Sequence, residues 1–204
     1  MQQTTSITRK LELPLVLLVT IAGAGFLLKM CYLSLVFNCL FGLLFLAAFY
    51  AYVRGRHGID IPLVLLALVF AALQVDALGN FFRMYGRQFG PLQYDEFSHM
   101  AVQVLITPLL IWLVRRGMNR LGHNVSIGLA ALLAGTIMFS LTACYEIIEL
   151  WDEVYFGGQR IWGKYDTAND LQWDLCGIII GSFVAIPLLR LTEEKRTPAF
   201  SPQI

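Results

Sequence analysis

The sequence predicts an all-α, polytopic integral membrane protein with about six transmembrane helices in one bundle. Hydrophobic residues make up 57% of the 204 residues and charged residues only 14%, whereas soluble domains contain roughly 45–50% and about 25%. The apolar residues are also grouped into stretches near the length of about 20 residues that crosses a bilayer as a helix. Lipid, rather than water, is therefore the expected surroundings of most of the chain.

Six stretches have this length, and together they predict a single transmembrane domain over residues 1–204. The predicted spans are residues 11–28, 31–53, 61–82, 94–114, 125–150 and 170–189. The first span has an alternative interpretation, because Arg9-Lys10 followed by an apolar run and Ala22-Gly23-Ala24 is also typical of a cleaved signal peptide. Cleavage would leave the remaining topology unchanged.

The distribution of lysine and arginine predicts the orientation of these spans. Ten of the fifteen lie before the first span or after the second, fourth and sixth spans, and cytoplasmic segments carry such an excess. Aromatic residues such as Tyr94, Trp151 and Tyr165 cluster at the opposite interface, where rings favour the headgroup level. We therefore expect a multi-pass protein of the cell (inner) membrane with both termini in the cytoplasm.

Composition and cysteine spacing argue against several classes of function. A net charge of +1 gives no reason to expect nucleic acid as a partner. The four cysteines have no Cys-x-x-Cys spacing that would indicate a zinc site or a redox dithiol. Membrane lipids are the expected partners, and the sequence does not define the oligomeric state.

Acidic residues are concentrated at the predicted non-cytoplasmic ends of the spans. Ten of the fourteen lie there, and several are three or four residues apart, which places them on one helix face. His99 lies one turn after Asp95, inside the fourth span. The ten acids are Asp76, Asp95, Glu96, Glu146, Glu149, Asp152, Glu153, Asp166, Asp170 and Asp174.

This cluster predicts a site for a divalent metal ion. Ionisable groups in the apolar layer cost at least about 2.5–3.5 kcal/mol each, and clustered carboxylates need protons, a basic residue or a metal. Carboxylates with one imidazole suit divalent ions. The predicted ligands are His99, Glu146, Glu149 and Asp170. The predicted supporting residues are Asp76, Asp95 and Asp174, with Asp95 orienting His99, while Arg83, Arg87 and Arg160 contact anions or headgroups.

Several of these residues also have a purely structural interpretation. Asp95 and Glu96 open a helix, and Thr167-x-x-Asp170 matches a capping box. A lone His99 is also typical of an interhelical hydrogen bond. Glu146 and Glu149 do not fit capping, because acids are disfavoured at the carboxyl end of a helix.

The sequence leaves three functions open. The first is a site that binds a divalent cation and acts on a lipid or lipid-linked small-molecule envelope precursor. The second is a proton-coupled transporter using the same acids, for which a kink at Pro108 would be the only hint. The third is a non-catalytic envelope protein whose acids pair with arginines. No residue is predicted as catalytic, and whether the protein is an enzyme stays open.

The ordered motifs also resemble those of known families. Tyr94-Asp95-x-x-x-His99, Tyr145-Glu146-x-x-Glu149 and Asp166-Thr167-x-x-Asp170-x-x-x-Asp174 resemble the YjdF-type inner-membrane proteins and, more distantly, the VanZ-like family, over about residues 70–185. The resemblance implies a small polytopic bacterial or archaeal membrane protein, and VanZ-like members are associated with glycopeptide resistance and the cell envelope. Glu96 and Glu149 depart from the VanZ-like pattern, so an antibiotic-related role is not carried over.

Overall fold

The computed structural model describes residues 35–158, 161 and 163–194. The first predicted span, residues 11–28, lies outside them. A short hairpin of β1 (Gln88–Phe89) and β2 (Leu92–Gln93) precedes the third described helix, and a single π-helical turn, Asp152–Phe156, follows the fourth. The described helices are α1 (Leu35–His57), α2 (Leu63–Phe81), α3 (Tyr94–Arg120), α4 (Ile127–Trp151) and α5 (Asp166–Glu194).

All five described helices are long and apolar enough to cross a membrane. Large apolar side chains point outward from them, for example Leu132, which is 67% exposed, and Phe183, which is 71% exposed. Such a surface is stable in lipid and would aggregate in water. The chain is therefore a membrane protein, and the first predicted span, residues 11–28, stays a prediction because it lies outside the described residues.

The helix boundaries differ from the predicted spans at several ends. α3 continues to Arg120, beyond the predicted end at residue 114, and α5 begins at Asp166 rather than at 170. α4 continues into the π turn, which Gly157 ends in the left-handed conformation at φ 71°. The predicted spans leave residues 151–169 between them, whereas only residues 157–165 separate the two helical segments. Helices extend past their apolar stretch because backbone hydrogen bonding continues into the interface.

The described chain divides into two compact units. The first unit contains residues 35–60 and 76–84, and the second contains residues 61–75 and 85–194. In the first unit, polar side chains join the end of α1 to the segment after it. The Tyr50 hydroxyl donates to Asp60 Oδ1 at 3.0 Å, and Arg54 Nε lies 3.3 Å from the same oxygen.

In the second unit, α3 and α5 pack closely and run in the same direction. Gly177 contacts the Met100 backbone, and a Cβ at Gly181 would lie 2.9 Å from Thr107 Cβ and 3.0 Å from the Val104 carbonyl oxygen. The later residue of α5, Gly181, lies against later residues of α3 than Gly177 does, so the two helices are parallel. Small residues permit this close approach of backbones within a membrane.

α4 packs against the same pair in the opposite direction. A Cβ at Gly135 would lie 3.3 Å from Ile178 Cγ2, whereas Thr142, later in α4, meets Asp174, which is earlier in α5. The beginnings of α3 and α5 and the end of α4 therefore lie at the same level. This level carries the predicted site.

Pro108 does not break α3. The helix is continuous from Tyr94 to Arg120, although Pro108 has no N–H to donate to the Val104 carbonyl. Gly181 of α5 lies against that carbonyl, and the Thr107 hydroxyl donates to the Gln103 carbonyl at 2.6 Å. α3 is therefore unbroken at Pro108, and the kink predicted there stays a prediction.

The hairpin leads directly into α3 and fixes where this helix starts. Gly90 turns the chain at φ 64°, and Leu92 pairs with Phe89. Tyr94 is only 5% exposed, and its hydroxyl donates to the Val75 carbonyl at 2.6 Å. Tyr94 is therefore buried within the protein, and the position of its ring at the headgroup level stays a prediction.

Candidate functional site

His99 lies at the centre of a polar cluster formed by α3, α4 and α5. It occupies the second turn of α3, and its side chain is 14% exposed. Its Nδ1 lies 3.2 Å from Oδ1 of Asp174, a fully buried residue of α5. One nitrogen of the imidazole is therefore held by a carboxylate from a neighbouring helix.

Asp174 accepts hydrogen bonds from three side chains at once. Gln103 Nε2 donates to Asp174 Oδ1 at 2.9 Å, and the Thr142 hydroxyl donates to Oδ2. With His99, these donors come from α3 and α4, and they meet a residue of α5. A carboxylate that accepts several donors from different helices fixes those helices relative to one another.

The other imidazole nitrogen faces two further carboxylates. His99 Nε2 lies 3.9 Å from Asp95 Oδ1 and 3.9 Å from Asp170 Oδ1. Asp95 is in the first turn of α3, and Asp170 is in the second turn of α5, where its side chain is 4% exposed. One ligand atom from each of the three residues lies within 4.8 Å of the others. We call these three residues the outer triad.

Glu146 reaches the same cluster from α4. The residue is only 3% exposed, and one of its carboxylate oxygens lies within 4.8 Å of a ligand atom of both His99 and Asp174. Its side chain also forms a hydrogen bond with Thr167, at the start of α5. Among the described residues, its Oε1 has no hydrogen-bond partner.

The cluster contains many more acids than bases. The sequence has no lysine or arginine between Arg87 and Arg115, between Arg120 and Arg160, or between Lys164 and Arg190. The membrane segments of α3, α4 and α5 therefore contain no basic side chain except the imidazole of His99. Charge balance at this depth must come from protons, from that imidazole or from a bound cation.

Comparison with protein families assigns the chain to a group. The family described as "Predicted membrane protein (DUF2238)" matches residues 12–195. The chain belongs to this family. The assignment is consistent with the YjdF-type resemblance, whereas the VanZ-like similarity stays a prediction. No curated protein and no solved structure matches the chain.

The four predicted metal ligands of this DUF2238 protein do not form a single group in the structure. His99 and Asp170 lie together in the outer triad, and Glu146 lies beside His99 and Asp174. Glu149 is half-buried in the last turns of α4 and, among the described residues, belongs to neither group of converging ligand atoms. Asp174 is within hydrogen-bond distance of the His99 ring, whereas Asp95, the residue predicted to orient that ring, is at 3.9 Å.

The alternative capping interpretation holds for one residue and fails for another. Glu96 Oε2 accepts from the Gln93 backbone N–H at 2.9 Å, and its Oε1 accepts from Asn169 at 2.8 Å, so Glu96 stabilises the start of α3. The predicted capping box ending at Asp170 is wrong, because α5 already begins at Asp166. Asp170 is thus a helix-interior acid that faces His99.

The remaining predicted residues lie elsewhere. Asp76 belongs to the first unit, where its Oδ1 accepts from Asn80 Nδ2 at 3.1 Å. Arg83 follows α2 with φ 51°, Arg87 is exposed before the hairpin, and Arg160 lies outside the described residues.

Two functional candidates were not predicted from the sequence. Gln103 and Thr142 each bind Asp174, and both are at most 6% exposed. Their signal is spacing, because Gln103 follows His99 by one helical turn and Thr142 precedes Glu146 by one turn. Looking for polar residues on the same helix face as an acid or histidine, in an otherwise apolar helix, would have identified Gln103 and Thr142.

Proposed function

We propose that this DUF2238 protein binds a divalent cation at the outer triad of Asp95, His99 and Asp170. The proposal rests mainly on the imidazole of His99, whose Nδ1 is held by Asp174 at 3.2 Å while its Nε2 faces the other two carboxylates at 3.9 Å. Metal-binding histidines almost always donate their second ring N–H to a carboxylate or carbonyl in this way.

The distances in the triad support this proposal. Two ligand atoms at about 2.0–2.2 Å from one ion can be at most about 4.4 Å apart, so the two separations of 3.9 Å already lie within the reach of one ion. One imidazole nitrogen with two carboxylate oxygens suits zinc, manganese or ferrous iron. A cation would also offset the excess of carboxylates in helices that lack lysine and arginine.

The position of the triad favours a substrate at the membrane surface. We infer six spans, including residues 11–28, in an inner membrane with both termini cytoplasmic, which places the triad at the non-cytoplasmic headgroup level. A divalent ion there would polarise a phosphoryl oxygen or activate a water. A lipid or lipid-linked envelope precursor is the substrate class that reaches this depth, and Arg87 and Arg160 are positioned in the sequence to contact its anionic group.

Metal content of the purified protein tests the proposal. The full chain is purified in detergent, loaded with zinc, manganese or iron, washed, and measured by elemental analysis. We expect about one ion per chain, and less than about a tenth of that in Asp95→Asn, His99→Ala and Asp170→Asn. Asp60→Asn is the matched control, because this carboxylate is 57% exposed and pairs with Arg54. Equal metal content in all variants, or none in the loaded wild type, would refute the site.

A further inference from the structure

Three side chains from α3, α4 and α5 form a closed ring of hydrogen bonds beside His99. Gln103 Nε2 lies 2.9 Å from Asp174 Oδ1 and 3.3 Å from the Thr142 hydroxyl oxygen, and that hydroxyl contacts Asp174 Oδ2. Gln103, Thr142 and Asp174 are 5%, 6% and 0% exposed. Buried polar groups satisfy one another rather than water, so the donors and acceptors present decide the direction of each contact.

Each hydrogen bond in this ring has one possible direction. An amide nitrogen only donates, so Gln103 donates one hydrogen to Asp174 Oδ1 and the other to the Thr142 oxygen. The Thr142 hydroxyl has a single hydrogen, and it donates this hydrogen to Asp174 Oδ2. Both oxygens of Asp174 are therefore acceptors.

These directions fix the hydrogen on the imidazole of His99. Its Nδ1 lies 3.2 Å from Asp174 Oδ1, which is an acceptor, so Nδ1 carries a hydrogen and donates it. A neutral ring with its hydrogen on Nδ1 has the free lone pair on Nε2. Nε2 is the nitrogen that faces Asp95 and Asp170 at 3.9 Å. The two donors therefore decide, through Asp174, which nitrogen of the ring is free to bind an ion.

Without these donors, Asp174 would have a second role open to it. Its carboxylate also converges with His99 and Glu146, and one ligand atom from each of the three residues lies within 4.8 Å of the others. An Asp174 that lost its donors would be free to bind a cation itself, with Nδ1 of His99 as the neighbouring ligand atom. Groups that hydrogen bond to a metal-binding histidine fix its tautomer and so decide which nitrogen binds.

We propose that Gln103 and Thr142 are positioning residues that direct a divalent ion to Nε2 of His99. By donating to both oxygens of Asp174, they keep this carboxylate an acceptor for the Nδ1 hydrogen and leave Nε2 as the ligand atom. The inference rests on the proposed function and adds α4 to the site, because Thr142 belongs to a helix that supplies none of the three ligands.

Nitrogen NMR of the zinc-loaded full chain in detergent tests the inference. The imidazole nitrogens are labelled with ¹⁵N, and the signals of His99 are assigned by their loss in His99→Ala. We expect zinc on Nε2 and a hydrogen on Nδ1 in the wild type. In Thr142→Val and in Gln103→Met, zinc affinity measured by calorimetry should fall at least about tenfold, and a form with zinc on Nδ1 should appear. Thr142→Ser keeps the hydroxyl and should restore both wild-type results.

The matched control is Thr136→Val on the same helix, because the exposed Thr136 hydroxyl donates to the Leu132 carbonyl of its own helix at 2.9 Å. Zinc on Nδ1 in the wild type overturns the inference. So does zinc on Nε2 alone in Thr142→Val and Gln103→Met, even with lower affinity, because that result reports a structural role only. If Thr142→Val does not fold, Gln103→Met and the wild-type spectrum decide. A wild type that binds no divalent ion, or a His99→Ala that keeps it, refutes the proposed function and this inference with it.

Discussion

Replacing Gly177 by alanine should loosen the site by separating the two helices that form it. The new Cβ would lie 2.7 Å from Gln103 Cβ and 3.0 Å from Met100 Cα, and would contact the Met100 carbonyl oxygen. Carbon atoms prefer separations of about 3.5–4.0 Å, so α3 and α5 must move apart by about 1 Å. That movement would lengthen the 3.2 Å contact between His99 and Asp174 to about 4 Å, beyond hydrogen-bond distance.

The expected change in the free energy of unfolding differs in sign between Gly177→Ala and a control variant. Alanine in a helix interior is favoured over glycine by about 0.5–1 kcal/mol, and overpacking costs about 1–3 kcal/mol or more. Gly177→Ala should therefore lower the free energy of unfolding by about 1–2 kcal/mol, with weaker divalent binding. Gly117→Ala, on the same helix as His99 with nothing within 4 Å of the new Cβ, should leave stability unchanged or raise it. Unfolding in SDS, followed by circular dichroism, measures the free energy of unfolding of both variants. Equal stability and equal metal content of the two variants would show that the close contact of α3 and α5 is wrong.

Three further predictions test the network and the topology. Asp174→Asn keeps the shape of the side chain but presents an amide to Gln103 and Thr142. The affinity for the divalent ion, measured by calorimetry, should therefore fall about 10–100-fold. An unchanged affinity would show that Asp174 does not support the site. Divalent binding should weaken from pH 7.5 to pH 5.5 and release protons, because imidazole and carboxylates bind metals only when deprotonated; binding that strengthens in acid would contradict the ligand set. In a chain lacking native cysteines, an impermeant maleimide should label Gly163→Cys but not His123→Cys in intact cells, and the reverse pattern would invert the topology.

The helices were predictable from the sequence, but their ends were not. Apolar length decides where a chain crosses the bilayer, and the four predicted spans that lie entirely within the described residues each correspond to a helix. Length does not report where backbone hydrogen bonding stops, so the π turn after Trp151 and the early start at Asp166 were missed. The hairpin over residues 88–93 was also missed, because two-residue strands are too short to show an alternating pattern.

The cluster was predictable as a set of residues, but not as a set of roles. Spacing along α3 places Asp95 and His99 on one face, and this suggested that Asp95 orients the ring. The carboxylate within hydrogen-bond distance of the ring is instead Asp174, whose position depends on how closely α5 approaches α3 at Gly177. The distance between two helices depends on how both of them pack, so it cannot be predicted from the spacing of residues within one helix. The same reason separates Glu149 from Glu146, since the rotation of α4 decides which of the two faces inward.

The division of the outer triad between two helices has a consequence for how the protein is made. The outer triad combines side chains of α3 and α5, so neither helix alone could bind the proposed divalent ion while it enters the membrane. Ion binding is therefore possible only after the helices have met, and any ion bound there favours the assembled form by mass action. Cells depleted of the ion should accumulate inserted but loosely packed chains, which membrane proteases remove first.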